Sequence, residues 1–226
     1  MERRSFLGFA ATSATCSLFP TLAHSENNNV ELYRDQQKLE KVDYIKDLDQ
    51  QYQIENDILP FDKKEKNDFW SKPRRLFLKR EYTNEQSEIF YYHNGKIDQQ
   101  QYWLASYFLR DLRAKKMVYV DPKLLDLICA VQAWMTYYGN NNPISVLSGF
   151  RTLKTNSGLE GAAKNSMHLY GKAIDFRVNG LKIKELASIA GQFGAGGVGL
   201  YPSSNFLHLD TGNVRTWNGS SWKRKS

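Results

Sequence analysis

The pattern of apolar and polar positions divides the chain into three parts. Phe6 to Leu22 is a mildly apolar stretch without charge, rich in Ala, Ser and Thr. From Ser25 to about Asn67, Asn, Gln, Asp, Glu and Lys dominate, with Asn27-Asn28-Asn29 and Asp49-Gln50-Gln51 typical. Such a segment buries little surface, and it reads as a polar tether with one fraying helix near Val30–Leu48. Regular patterns begin near Phe69-Trp70. Leu76-Phe77-Leu78 and Glu88-Ile89-Phe90-Tyr91-Tyr92 predict strands, and Asn94-Gly95 supplies a hairpin turn. Gln101 to Arg113 predicts a helix with Trp103, Phe108 and Leu112 toward the core. Asp121-Pro122 opens another helix, with Asp as N-cap and Pro at the first helical position. That helix runs to about Tyr138 and stops at Gly139-Asn140. After Pro143 short strands take over, and no internal repeat is present.

Two of the late strands carry polar residues on one face. Ile174, Phe176 and Val178 alternate with Ala173, Asp175 and Arg177, so an inward apolar face turns Asp175 toward a cleft or solvent. In Phe206-Leu207-His208-Leu209-Asp210, Leu207 and Leu209 point one way and His208 and Asp210 the other. If the two strands share a sheet, Asp175, His208 and Asp210 line one face.

Composition narrows the classes. The 226 residues are 41% hydrophobic, enough for one core, and carry a net charge of +7. Basic residues are scattered among acids, which argues against nucleic acid; an anionic wall polymer would draw the same charge. No run of about 20 apolar residues follows the N-terminus, so no membrane span is expected in the mature chain. Arg3-Arg4-Ser5-Phe6-Leu7 resembles a twin-arginine export signal, and Thr21-Leu22-Ala23 offers a cleavage site, giving a signal peptide over 1–23 and a periplasmic or otherwise exported product. Cys16 leaves with that signal. Cys129 then stands alone, which excludes an intrachain disulfide in the mature chain.

The candidate chemistry lies between Val146 and Trp217. His168 precedes Asp175 by seven residues, a spacing a turn can close, and both are good zinc ligands. With His208 they form a His/Asp/His triad. Three protein ligands with an open fourth position describe a catalytic zinc site rather than a structural one. Water in that position becomes a nucleophile near neutral pH. Arg151, in Ser148-Gly149-Phe150-Arg151, presents a planar donor fork suited to a carboxylate or a developing oxyanion. Of the four histidines, His24 lies at the end of the signal and His93 beside the hairpin turn.

These residues carry a resemblance. Ser148-Gly149-Phe150-Arg151, Ser166-x-His168-x-x-Gly171-x-Ala173-x-Asp175 and Phe206-x-His208-x-Asp210-Thr211-Gly212 resemble the LAS group of metallopeptidases. That group includes lysostaphin-type enzymes, zinc D-Ala-D-Ala carboxypeptidases and the hedgehog domain. Gly196-Gly197-Val198-Gly199-Leu200-Tyr201-Pro202 and Arg215-x-Trp217 are similar to murein endopeptidases of the MepK type. The resemblance covers roughly Leu76 to Trp217. It implies a small α+β fold around an antiparallel sheet, in a metallopeptidase domain spanning 68–226. It implies one zinc ion on His168, Asp175 and His208, with Arg151 contacting substrate. The implied substrate is cross-linked peptidoglycan, including links between two diaminopimelate residues.

One position departs from the group. Many of its carboxypeptidases place Glu or Asp three residues before the last zinc His as general base, where this chain has Asn205. Asp210 is the nearest replacement, and two roles are open to it: general base, or outer acceptor fixing the His208 imidazole. A third arrangement puts Asp210 on the metal and leaves His208 as acid/base. Two further readings compete with the endopeptidase: a zinc D,D-carboxypeptidase trimming stem peptides, and a zinc-stabilised wall-binding module without turnover.

Overall fold

The computed structural model describes residues 69–219. The expected export signal, the polar tether and the basic tail Lys223-Arg224-Lys225 lie outside the described residues. No helix among the described residues is long and apolar enough to cross a membrane.

The fold opens with a meander. Strand β1 (Arg74–Arg80) pairs antiparallel with β2 (Gln86–His93), and β2 with the short β3 (Lys96–Ile97). The β2–β3 turn is Asn94-Gly95 as expected, with φ of 54° and 74°. Positive φ at both central residues is what a two-residue turn matched to the strand twist requires.

Helix α1 (Gln99–Phe108) starts where the Asp98 carboxylate accepts the N–H groups of Gln100 and Gln101. It ends five residues before the expected Arg113. The cause is Asp111, whose Oδ1 accepts from the N–H groups of Arg113 and Ala114 and so turns the chain. Phe108 is buried, but Trp103 and Leu112 are only half-buried. Ala105 and Leu109 take the inward positions instead. Helix α2 (Pro122–Tyr137) follows the expected course, with Asp121 accepting from the Lys123 N–H and Gly139 at φ 83° beyond its end.

Strand β4 (Ile144–Ser148) then returns beside β1 and parallel to it. Next come α3 (Leu153–Ser157), a 3-10 turn (Met167–Tyr170), β5 (Ala173–Val178), α4 (Ile183–Gly191), β6 (Gly197–Tyr201), β7 (Phe206–Asp210) and β8 (Arg215–Asn218). Helix α4 corrects the expectation that only strands follow Pro143. Its signal was the inward spacing of Ile183, Leu186, Ala187 and Ala190, three, four and seven residues apart.

The eight strands form one sheet in the order β3-β2-β1-β4-β5-β7-β6-β8. The α+β class stands, but the sheet is mixed rather than antiparallel. The β1·β4 and β6·β8 pairs are parallel and the others antiparallel. Parallel neighbours need a long crossover, and α1 with α2 supplies it between β1 and β4. At the other end β8 joins the free edge of β6 instead of continuing from β7, so two reversals align it with β6.

One face of the sheet meets α2 and α4. Ile174, Phe176, Val178, Leu207 and Leu209 pack there with Leu124, Leu125, Ile128, Val131 and Leu186. Burying each such aliphatic side chain contributes roughly 1.5–3 kcal/mol. That covered face fixes the strand register, because a slip of one residue would turn every apolar side chain outward. It also leaves the opposite face free for polar residues.

Candidate functional site

The site is built on that opposite face. Asp175 on β5 and His208 on β7 are directly paired across the two strands. The third residue arrives from the 3-10 turn. Ser166 caps its start, and Gly171 ends it at φ 65°. A Cβ at Gly171 would lie 2.8 Å from Val118, so both backbone sign and space favour glycine there. The His168 carbonyl accepts from the Arg151 N–H, tying the turn to the loop after β4.

Three donor atoms converge. His168 Nε2 lies 3.2 Å from Asp175 Oδ1 and 3.2 Å from His208 Nδ1, and His208 Nδ1 lies 2.9 Å from Asp175 Oδ1. A tetrahedral ion with ligand bonds of about 2.0–2.1 Å needs ligand edges of about 3.3 Å. The three donors therefore fit one face of such a tetrahedron and leave the fourth vertex outside it. Two imidazole nitrogens and one carboxylate oxygen suit zinc and several other first-row divalent ions.

Outer contacts fix each donor. The Gly149 carbonyl, 2.6 Å from His168 Nδ1, can only accept, so Nδ1 carries the proton and Nε2 offers its lone pair. Burial and the Arg151 charge lower the His168 pKa to about 4, which keeps the ring neutral as a ligand. Arg151 is itself buried. Its Nη2 donates to Asp175 Oδ2 and its Nε donates to Ser148 Oγ at 2.8 Å. Burial alone would raise the Asp175 pKa, but His168 and Arg151 hold it well below the usual carboxylate range. Asp175 is thus an ionised carboxylate beneath the surface, rather than a residue turned to solvent.

Asp210 is fully buried, and its carboxylate is saturated. Oδ2 lies 2.8 Å from His208 Nε2 and accepts from Arg215 Nη2 at 2.7 Å. Oδ1 accepts from the Gly197 N–H at 3.1 Å, the Gly212 N–H at 2.8 Å and Arg215 Nη1 at 3.2 Å. Burial opposes its ionisation, yet the bonds from His208 and Arg215 depress its pKa below the ordinary value. For His208, burial lowers the pKa, and its bonds to Asp175 and Asp210 more than offset that and raise it. Asp210 does not reach the His168–Asp175–His208 triangle, because it contacts the opposite nitrogen of the ring.

The residues expected from sequence therefore assemble: His168, Asp175 and His208 as a cluster, Arg151 on the carboxylate and Asp210 on the imidazole. Sequence reasoning passed over two supports. Arg215 was legible only as half of an Arg-x-Trp pair, yet it clamps Asp210. The Gly149 carbonyl, which orients His168, has no sequence signature. The glycine run also proves partly a strand. A Cβ at Gly196 would lie 1.7 Å from the Asp210 carbonyl oxygen, and one at Gly199 2.4 Å from the Trp217 ring. Trp217 in turn lies 5.3 Å from the His208 ring and donates from Nε1 to the Tyr201 hydroxyl. Tyr201 stacks on Phe206 with centroids 4.4 Å apart, as a packed aromatic.

The comparisons agree with this geometry. The sequence model of the family described as peptidoglycan L,D-endopeptidase MepK, a branch of peptidase family M15, matches residues 69–217. A peptidoglycan L,D-endopeptidase MepK of Escherichia coli K12 is 35% identical over 150 residues, covering 65% of this chain and 81% of that protein. A probable peptidoglycan L,D-endopeptidase MepK of Haemophilus influenzae is 42% identical over 117 residues, covering 50% of this chain and 62% of that protein. The family match spans the sheet, the donor triangle and the Arg215–Trp217 clamp together, and on that match the chain belongs to the MepK family of M15 peptidases.

Proposed function

We propose that this chain is a zinc-dependent murein endopeptidase, exported by the twin-arginine route, that hydrolyses peptide cross-links of peptidoglycan. The observation that carries the reading is the triangle of donor atoms on His168, Asp175 and His208 within an M15 peptidase fold. His168 Nε2, Asp175 Oδ1 and His208 Nδ1 would hold the ion. Zinc bound there supplies Lewis acidity, polarising a scissile carbonyl and making water a competent nucleophile at neutral pH.

The protein's own residues do the rest. Arg151 holds Asp175 with one oxygen toward the cluster, and its charge favours the developing oxyanion. Asp210 fixes the His208 ring so that Nδ1 faces inward, and its positive surroundings disfavour proton uptake. We therefore assign Asp210 a positioning role rather than that of general base. Asn205 cannot take a proton, so the usual carboxylate at that place is not replaced by its own side chain. Substrate would approach past His208, the most open of the three donors at 8% exposure.

Digestion of purified cross-linked peptidoglycan, with products resolved by mass, tests the proposal. Cross-linked dimers should disappear, survive with chelator and disappear again when zinc is restored. Intact dimers with a fully loaded metal site would sink the endopeptidase reading. Loss of terminal D-alanine alone would select the carboxypeptidase, and sacculus binding without any product the wall-binding module.

A further inference from the structure

The open face does not end at the donor cluster. Two residues further along β5 from Asp175 stands Arg177, on the same side of the sheet and about 7 Å away by strand rise. Its partner across β4 is Ser145, whose partner across β1 is Lys79, and Lys79 pairs across β2 with Gln86. These residues, with Glu81 and Asn205, line a groove of about 550 Å³. Asn205 stands three residues before His208, so the groove adjoins the metal-binding strand.

The charges in the groove have a definite arrangement. Arg177 Nη2 donates to Glu81 Oε1 in a half-exposed pair. Lys79 lines the same groove, and no carboxylate is bonded to it among the described residues. Two cations and one anion therefore face one space. A carboxylate can be met by Lys79 and Arg177, and an ammonium by Glu81. Arginine is suited to the first because its donor fork matches a carboxylate's two oxygens. Hydrophobic substituents find little here, since the lining is dominated by charged and amide groups.

We propose that this groove binds a zwitterionic amino-acid end, an ammonium beside a carboxylate, carried by the substrate residue whose carbonyl is cut. A diamino-diacid residue of a stem peptide carries such an end. Its two α-carbons are separated by three methylenes, roughly 5 Å of extended chain from ordinary bond lengths. That length is comparable to the roughly 7 Å of strand rise between Asp175 in the donor triangle and Arg177 in the groove. The inference rests on the endopeptidase reading for its substrate, but the groove and its charges stand independently of turnover.

The test has a kinetic arm and a binding arm. Wild type and the Arg177→Met and Lys79→Met variants are assayed on a cross-linked muropeptide and on the same compound with the free side-chain carboxylate amidated. Amidation should lower wild-type kcat/KM about 10- to 100-fold, chiefly through KM. Each variant should lose a similar factor on the native compound and little more on the amidated one, with its melting temperature kept. Equal losses on both compounds, or none, would overturn the proposal. In the binding arm, free meso-diaminopimelate is titrated into the full chain and followed by NMR, with lysine as a control lacking the second carboxylate. Shifts at Lys79, Arg177 and Ser145 that vanish in Arg177→Met support the groove even if no cross-link is cut. Cleavage by wild type with no such shifts and no amidation effect would leave the endopeptidase reading standing and remove this one.

Discussion

His208 Nδ1 lies 2.9 Å from Asp175 Oδ1 because the two residues face each other across β5 and β7. Sheet register thus sets one edge of the donor triangle, and the 3-10 turn supplies only the third corner. Replacing His168, Asp175 or His208 by Ala should each abolish stoichiometric zinc, read by elemental analysis. Cross-link hydrolysis should fall by about a thousandfold or more, since the ion is worth several kcal/mol of transition-state stabilisation. A variant with full zinc and unchanged hydrolysis would remove that residue from the set.

Asp210→Asn separates positioning from proton transfer. If Asp210 orients the His208 ring, zinc affinity should fall about 10- to 100-fold, the usual cost of losing such an outer contact. Activity should largely return at saturating zinc. A general base would behave differently: zinc affinity would hold and kcat would stay low however much zinc is present. Arg215→Met should move zinc affinity in the same direction as Asp210→Asn but less, because the two glycine N–H bonds to Asp210 remain.

Much of the site was legible because strand alternation is a strict rule. Ile174, Phe176 and Val178 turned inward, so Asp175 had to share the other face with His208 and Asp210. Alternation says nothing about depth, which is why it left Asp175 facing either a cleft or solvent; Arg151 and His168 cover it, so the cleft holds. It also could not rank the roles of Asp210. That needed the five contacts to its carboxylate, four of them from Gly197, Gly212 and Arg215 across loops of no fixed pattern. The helix overrun to Arg113 has a similar origin: apolar spacing continued, but the side chain of Asp111 competed for the backbone. The parallel β1·β4 pair depends on where a long crossover lands, which no local pattern records.

Gly196 is a steric requirement rather than a flexible joint. Its missing side chain lets β6 approach the Asp210 carbonyl, where a Cβ would sit at 1.7 Å. Gly196→Ala should therefore destabilise the fold by about 1–3 kcal/mol or more, by forcing backbone apart. It should also weaken zinc binding through Asp210. Gly191→Ala is the control: no atom lies within 4 Å of its Cβ, and it closes helix α4. That change should be neutral or stabilising by up to about 1 kcal/mol. Urea denaturation of both variants reads the difference, and equal midpoints would contradict the steric argument.

Cys129 gives a pH-dependent prediction away from the site. It is buried in α2, and burial together with the nearby Asp126 charge pushes its thiol pKa up from 9.0 to about 12. Only the thiolate reacts with an alkylating agent. With its pKa at about 12 in place of 9.0, the thiol carries about a thousandfold less thiolate at any pH below the ordinary value, before steric protection is counted. In a Cys16→Ser chain at pH 8, native protein should therefore resist iodoacetamide, while urea-unfolded protein reacts at the rate of a free cysteine. Raising the pH from 7 to 9 should increase the unfolded rate until the free thiol is ionised. The same change should leave native labelling limited by opening of the fold. Rapid labelling of the native chain at pH 8, at a rate indifferent to urea, would show that α2 does not bury this thiol.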